Sequence, residues 1–196
     1  DGHRLALATD ELEMGEQEQI QAIIPRKAVI ELIKMLSDDD EELSISLDSN
    51  HIRIAMPNDV IMSSKLIDGR FPDYKAVIPV NFDKTVIAKC ELLKQALTRA
   101  SILSNEKFKG MRLSLSKDLL KMNAKNAFQE ESEEVIEVDY QGEELEIGFN
   151  SLYLLDVLNT VDVDSVELHF SDENSSCLMN PRDNESLKYV IMPMRL

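Results

Sequence analysis

Tryptophan is absent from this chain of 196 residues, aromatic residues make up only 5% of it, and cysteine occurs twice. The scarcity of rings excludes a core built on aromatic stacking. Aliphatic side chains and nine methionines must fill the interior instead. Cys90 and Cys177 are too few for a disulfide framework and lack the spacing of metal ligands, so reduced buried thiols in a cytoplasmic protein are expected. Six glycines and six prolines are too few for a collagenous or low-complexity chain. No apolar run approaches the roughly 18 residues that would suggest a membrane-spanning helix. The opening DGHRLALA does not read as a secretory leader. It starts without Met and goes directly into alternating, strand-like sequence, so a fragment is expected.

What is present is acidic. The chain is 43% hydrophobic, 30% charged and carries a formal net charge of −16. Residues 1–82 hold 8 Lys/Arg against 16 Asp/Glu, and the remainder holds 13 against 21, so both parts carry −8. An even acidic surface argues against a protein that grips nucleic acid all over. The length fits one to two domains.

Three stretches share one pattern: PRKAVIELIKMLS from Pro25, AKCELLKQALTRASILS from Ala88 and FNSLYLLDVLNTV from Phe149, with starts 63 and 61 residues apart. Each reads as an amphipathic helix. The expected core stripes are Val29, Leu32, Ile33 and Leu36, then Leu93, Ala96, Leu97 and Ala100, then Leu152, Leu155 and Leu158. Asn150 or Ser151 is a natural N-cap for the third. A strand is expected before each helix, in QIQAIIP, TVIA and LEIGF. Three alternating segments follow each, with DSN, SKD and DEN as turns. The repeated unit is strand, helix, three strands. It predicts an α+β fold with helices on one face of antiparallel sheets, residues 81–196 forming a complete two-unit domain and residues 1–80 the last part of an equivalent one.

No residue pattern in the chain carries catalysis. His3, His51 and His169 are scattered, and there is no G-x-S-x-G, phosphate loop, HExxH or CxxC, so no catalytic residue, metal or cofactor is expected. The acidic runs SDDDEE (37–42) and EESEE (130–134) read as solvated loops, with a divalent-metal site as the lesser alternative. Lys27, Lys34, Lys94 and Arg99 fall on the polar sides of two equivalent helices. They read either as ordinary solvated faces paired with Glu31 and Glu91, or as a local positive face that touches phosphates without reading bases.

DGHRLALA, KLIDGRFPDY, ILSNEKFKG, EIGFNSLYLLDVL and YVIMPMRL, in this order, resemble the bacterial DNA sliding clamps, the beta subunits of DNA polymerase III. The resemblance covers the whole chain. It implies the DNA-clamp fold: the end of a middle domain in residues 1–80 and a whole third domain in 81–196. In that family three similar domains make a protomer, and two protomers close head to tail around duplex DNA with helices lining the hole. The resemblance implies that Lys27, Lys34, Lys94 and Arg99 face DNA.

It also implies a pocket for short linear motifs, typically Gln followed by Leu and Phe, carried by polymerases, the clamp loader and repair proteins. The pocket residues carried over are Gly2, His3, Arg4 and Leu5, then Pro72 and Val77, then Asn150, Tyr153, Ser176, Val190, Met192, Pro193, Met194, Arg195 and Leu196. Val190 alone also fits plain strand core. Ala76 stands where well-known members carry Arg, which removes a polar contact at that rim. Ile102, Leu103 and Phe108 are the implied homodimer-interface residues, although a fragment would not close the ring by itself. A stand-alone peptide-binding scaffold that never meets DNA is the rival expectation.

Overall fold

The computed structural model describes residues 1–12, 19–36, 42–57, 59–105 and 107–196. Residues 37–41 of the first acidic run lie outside these. The chain divides into two compact units, one comprising Asp1–Glu11 with Tyr74–Leu196, the other Leu12–Asp73. The larger unit thus begins at Tyr74, ahead of the expected boundary near residue 80, and also takes the opening segment, because strand β1 (Arg4–Ala8) is hydrogen-bonded to β12 (Leu187–Ile191) from Arg4↔Ile191 to Ala8↔Leu187.

In the larger unit, β5 (Lys84–Lys89), α2 (Cys90–Ser101), β6 (Gly110–Ser116), β7 (Leu119–Lys125) and β8 (Glu131–Glu137) form one repeat. The next repeat comprises β9 (Leu145–Asn150), α3 (Ser151–Leu158), β10 (Ser165–Phe170), β11 (Cys177–Pro181) and β12. The sheets do not follow the repeats. One sheet runs β8-β7-β6-β9 and the other β1-β12-β11-β10-β5. Each repeat gives its first strand to the other's sheet, so neither is complete alone. The segment after β8 returns to β5 through reciprocal bonds between Ile87 and Asp139, at 3.0 and 2.9 Å.

The core follows the alternation of the strands. Met111, Leu113 and Leu115 of β6 and Leu120, Met122 and Ala124 of β7 point inward. Helix α2 buries Leu93, Ala96, Leu97 and Ala100 as its spacing required, together with Cys90. In α3 the buried set is Ser151, Leu154, Val157 and Leu158, and Leu152 is exposed. The expected Leu152–Leu155–Leu158 stripe is therefore rotated. The helix start is pinned by two bonds: Asn150 Oδ1 accepts from the Leu152 N–H at 2.9 Å, and the Ser151 hydroxyl donates to the Lys109 carbonyl at 3.1 Å.

Burial pushes the thiols of Cys90 and Cys177 up, away from the reactive thiolate. Neither is expected to react with Ellman's reagent in the native state, and both should react in denaturant. Rapid native labelling of either would contradict this packing.

The smaller unit holds α1 (Arg26–Met35) and a three-stranded sheet of β2 (Ser44–Leu47), β3 (His51–Ala55) and β4 (Ile61–Lys65), in that order. Its turn follows expectation: the Asp48 carboxylate accepts from the N–H groups of Asn50 and His51, at 2.8 and 2.7 Å. Two expectations fail here. QIQAIIP is not a strand among the described residues; its Ile23 carbonyl accepts from the Ile67 N–H and its Pro25 carbonyl from the Val29 N–H of α1. The α1 stripe is not core: Val29, Ile33 and Leu36 are exposed and only Ala28 is buried.

EESEE is not a loop either. Glu131 to Glu134 open β8, where alternation sends Ser132, Glu134 and Ile136 toward α2 and Glu131 and Glu133 outward. The outward pair meets Lys125 and Lys121 of β7 at 2.8 and 2.6 Å.

Candidate peptide-binding site

The two ends of the chain meet at β1 and β12, beside α3. The Arg4 guanidinium lies 4.5 Å from the centroid of the Tyr153 ring, pairs with Asp156 of α3, and has Nε 3.4 Å from Asp1. His3 stacks on the same Tyr153 with centroids 6.3 Å apart. Two carboxylates already match the charge of Arg4, so its main service is to hold the tyrosine and close one end of the site. Leu5 pairs with Val190 across the ladder. Val190 is only 2% exposed, which makes it strand core that forms the floor. Arg4, Leu5, Tyr153, Asp156 and Val190 line a cleft of about 360 Å³.

Beyond Ile191 the chain leaves the ladder without leaving its hydrogen bonds unmade. The Met192 N–H donates to the His3 carbonyl at 2.9 Å, and the Met194 N–H donates to the Gly148 carbonyl at 2.8 Å. Pro193 between them has no N–H to satisfy. The tail thus crosses from β12 of one sheet to β9 of the other, as Asp139 crosses from β8 to β5. Met192 is 44% exposed and Leu196 57% exposed, while Pro193 and Met194 are half-buried. Apolar side chains are in this way held at the surface by a fixed backbone. The flexible thioethers suit a site that takes more than one apolar sequence.

Gly2 is exposed next to His3, Ser176 is half-buried immediately before β11, and Asn150 is half-buried as the cap of α3. Val77 is exposed in a short 3-10 turn, Tyr74–Val77. Pro72 is exposed and belongs to the smaller unit.

Sequence reasoning missed Asp156, which fixes Arg4, and the two glycines beneath the tail. A Cβ on Gly148 would stand 2.5 Å from the Met194 carbonyl oxygen, and one on Gly110 would collide with a Leu196 methyl. Both lie in strands, where glycine packs poorly and often marks a close backbone approach. That signal was available in a chain with so few glycines.

Lys27 is exposed on α1, and Lys34 there pairs with Glu31 at 3.0 Å. Lys94 of α2 is half-buried. Arg99 is held by two parallel bonds to Glu134 of β8, both 2.8 Å, and this guanidinium keeps the Glu134 carboxyl below the usual carboxylate range. Ile102 is 74% exposed, Leu103 half-buried and Phe108 exposed.

The profile described as DNA polymerase III beta subunit, C-terminal domain, matches residues 75–195, and that of the central domain matches residues 1–73. The chain belongs to the DNA polymerase III beta subunit family. Family relatives include the beta sliding clamps of Haemophilus influenzae, 49% identical over 196 residues, and of Escherichia coli K12, 49% identical over 197. All of this chain aligns with 53% of each of them, so it spans about half the length of these curated relatives. The crystal structure of the beta subunit from Pseudomonas aeruginosa superimposes with a TM-score of 0.97 at 46% identity, over all of this chain and 54% of that one. A beta clamp from Bartonella birtlesii bound to griselimycin matches at 0.94 and 36% identity, over all of this chain and 53% of that one.

Proposed function

We propose that the chain works as part of a processivity clamp that encircles duplex DNA and tethers polymerases, the clamp loader and repair proteins through a peptide pocket. On this reading it catalyses no reaction of its own and acts in the cytoplasm. Residues 1–80 supply the end of the middle domain and 81–196 the third domain. The observation that carries the reading is the tail Met192–Leu196, pinned by main-chain bonds to His3 and Gly148, with His3 and Arg4 packed on Tyr153. The pocket within the larger unit is Gly2–Leu5, Val77, Asn150, Tyr153, Ser176, Val190 and the tail.

Lys27, Lys34, Lys94 and Arg99 face the duplex and attract it weakly, without reading sequence. Glu31 and Glu134 temper that attraction, which suits sliding more than gripping. Ile102, Leu103 and Phe108 join the next protomer of a homodimeric ring. The internal repeat supports this side as the junction: β12 has β1 on its outer edge, and the equivalent strand β8 has no such neighbour among the described residues.

The rival, a peptide scaffold that never meets DNA, is favoured by the paired state of Arg99. Charge reversal of Lys27 and Lys94 within the full-length ring separates the two, since only a clamp should lose retention on circular DNA. The pocket is tested by titrating a labelled Gln-Leu-Phe peptide. Tyr153→Ala removes the surface on which His3 and Arg4 rest, and is expected to weaken binding about tenfold, the scale of a lost aromatic anchor. Unchanged affinity would remove the assignment.

A further inference from the structure

The tail has a second side. A cavity of about 810 Å³ opens between the loop before β6, the β7–β8 turn and the tail, and it shares no lining residue with the Arg4–Tyr153 cleft. Met194 and Leu196 form its apolar side, continued by Phe108, one of the residues proposed above to meet the next protomer. Among the described residues its lining cations are Arg112, Lys125 and Arg195, against one lining side-chain carboxylate, Glu131, with Glu146 beside Arg112. On a chain with 37 acidic and 21 basic residues, a recess where cations outnumber carboxylates is a local reversal of sign.

Two of these cations are held loosely. Arg112 pairs with Glu146 and Lys125 with Glu131, each at 2.8 Å, with all four side chains about half exposed. Pairs of this kind contribute little and exchange partners readily. The rims, by contrast, are fixed. Asn105 Oδ1 accepts from the N–H groups of Lys107 and Phe108, and Asn126 Oδ1 from those of Phe128 and Glu130. The recess is thus a rigid trough with replaceable counter-ions. Its volume lies within the roughly 300–1,000 Å³ that holds a drug-sized ligand.

We propose that this trough receives an acidic flank of the same partner peptide whose Gln-Leu-Phe core occupies the cleft, with Arg112, Lys125 and Arg195 as the recognising cations. Continuity argues for a peptide: the tail that walls the trough with Met194 begins at His3 beside the cleft. The proposal rests on the pocket reading above, and its test keeps the two apart.

Three labelled peptides are titrated against the whole chain at low salt: the core alone, and the core with four Asp/Glu residues before or after it. One flank is expected to tighten binding about tenfold, and the gain should fade in high salt. In the double variant Arg112→Ala/Lys125→Ala the gain should vanish while core affinity stays unchanged, which also shows that the variant is folded. If the core binds and neither flank adds affinity, or if the gain survives in the variant, the trough assignment is wrong and the pocket stands. If no peptide binds, both fall. A short single-stranded oligonucleotide is the control. Variant-sensitive binding of DNA, with no gain from acidic flanks, would make the trough a nucleic-acid site and overturn the proposal.

Discussion

Gly148→Val is expected to lower affinity for a Gln-Leu-Phe peptide at least about 30-fold, a loss of about 2 kcal/mol, while leaving the sheet folded. The reason is local and steric. Gly148 lies in β9 between Ile147 and Phe149, both core, and opposite Arg112 of β6. Its φ is not in the left-handed region, so the backbone tolerates any residue there. What requires glycine is the tail overhead. A Cβ would meet the Met194 carbonyl oxygen at 2.5 Å and two Leu196 carbons at 2.9 Å. The first obstacle is backbone and cannot swing aside. The tail must lift, which breaks the Met194–Gly148 hydrogen bond, worth about 0.5–1.5 kcal/mol, and frees the apolar side chains from their fixed positions. Valine suits a strand, so the thermal midpoint should move by only a few degrees. Fluorescence polarisation alongside a thermal melt reads both quantities. Affinity within twofold of wild type would show that the pinned tail is not needed for capture.

Hydrogen exchange is expected to divide the chain more sharply still. Amides of β3 and α1 in the smaller unit should exchange more than about 100-fold faster than those of β6, β7 and β10, a gap of roughly 3 kcal/mol in opening free energy. Among the described residues the smaller unit buries only Ala28, Ile52 and Ile54 as apolar core. Its sheet has three strands, whereas each sheet of the larger unit has at least four and packs around a shared interior with α2 and α3. Apolar burial is the main opponent of conformational entropy, so a unit with so little of it opens often. Mass-spectrometric exchange on the whole chain resolves this peptide by peptide. Equal protection of β3 and β6 would mean that the smaller unit has stability its visible core does not explain.

The same contrast explains what could be read from the sequence. The α2 stripe was legible because Leu93, Ala96, Leu97 and Ala100 find a partner in every direction within this chain. The α1 stripe has the same periodicity, but periodicity says only which face is apolar, not that something covers it. QIQAIIP has the composition of a strand and lacks the ladder that would make it one. EESEE misled because charge suggested a loop. In β8 the Lys and Arg partners come from β7 and α2, which a linear reading does not place opposite. The nine strands that follow the three helices, their turns and the cap at Asn150 were legible, since each depends on neighbours a few residues away. The resemblance brought together His3, Arg4, Tyr153 and the tail; residue spacing alone does not, because 152 residues separate Arg4 from Asp156. Asp156 and Gly148 escaped because their roles exist only once those distant segments meet.

The exchange of first strands between repeats has a consequence for how the chain comes to be folded. During synthesis β5 emerges long before β10, its ladder partner among the described residues, and β1 emerges before β12, with which it pairs. The sheet that contains β5 and β1 cannot close until β12 has been added. Contacts this distant in sequence make for slow folding and a long interval with unpaired edges. β1 is made well before the strand that completes it, so a nascent chain of this kind has good reason to meet a chaperone before it meets its partners.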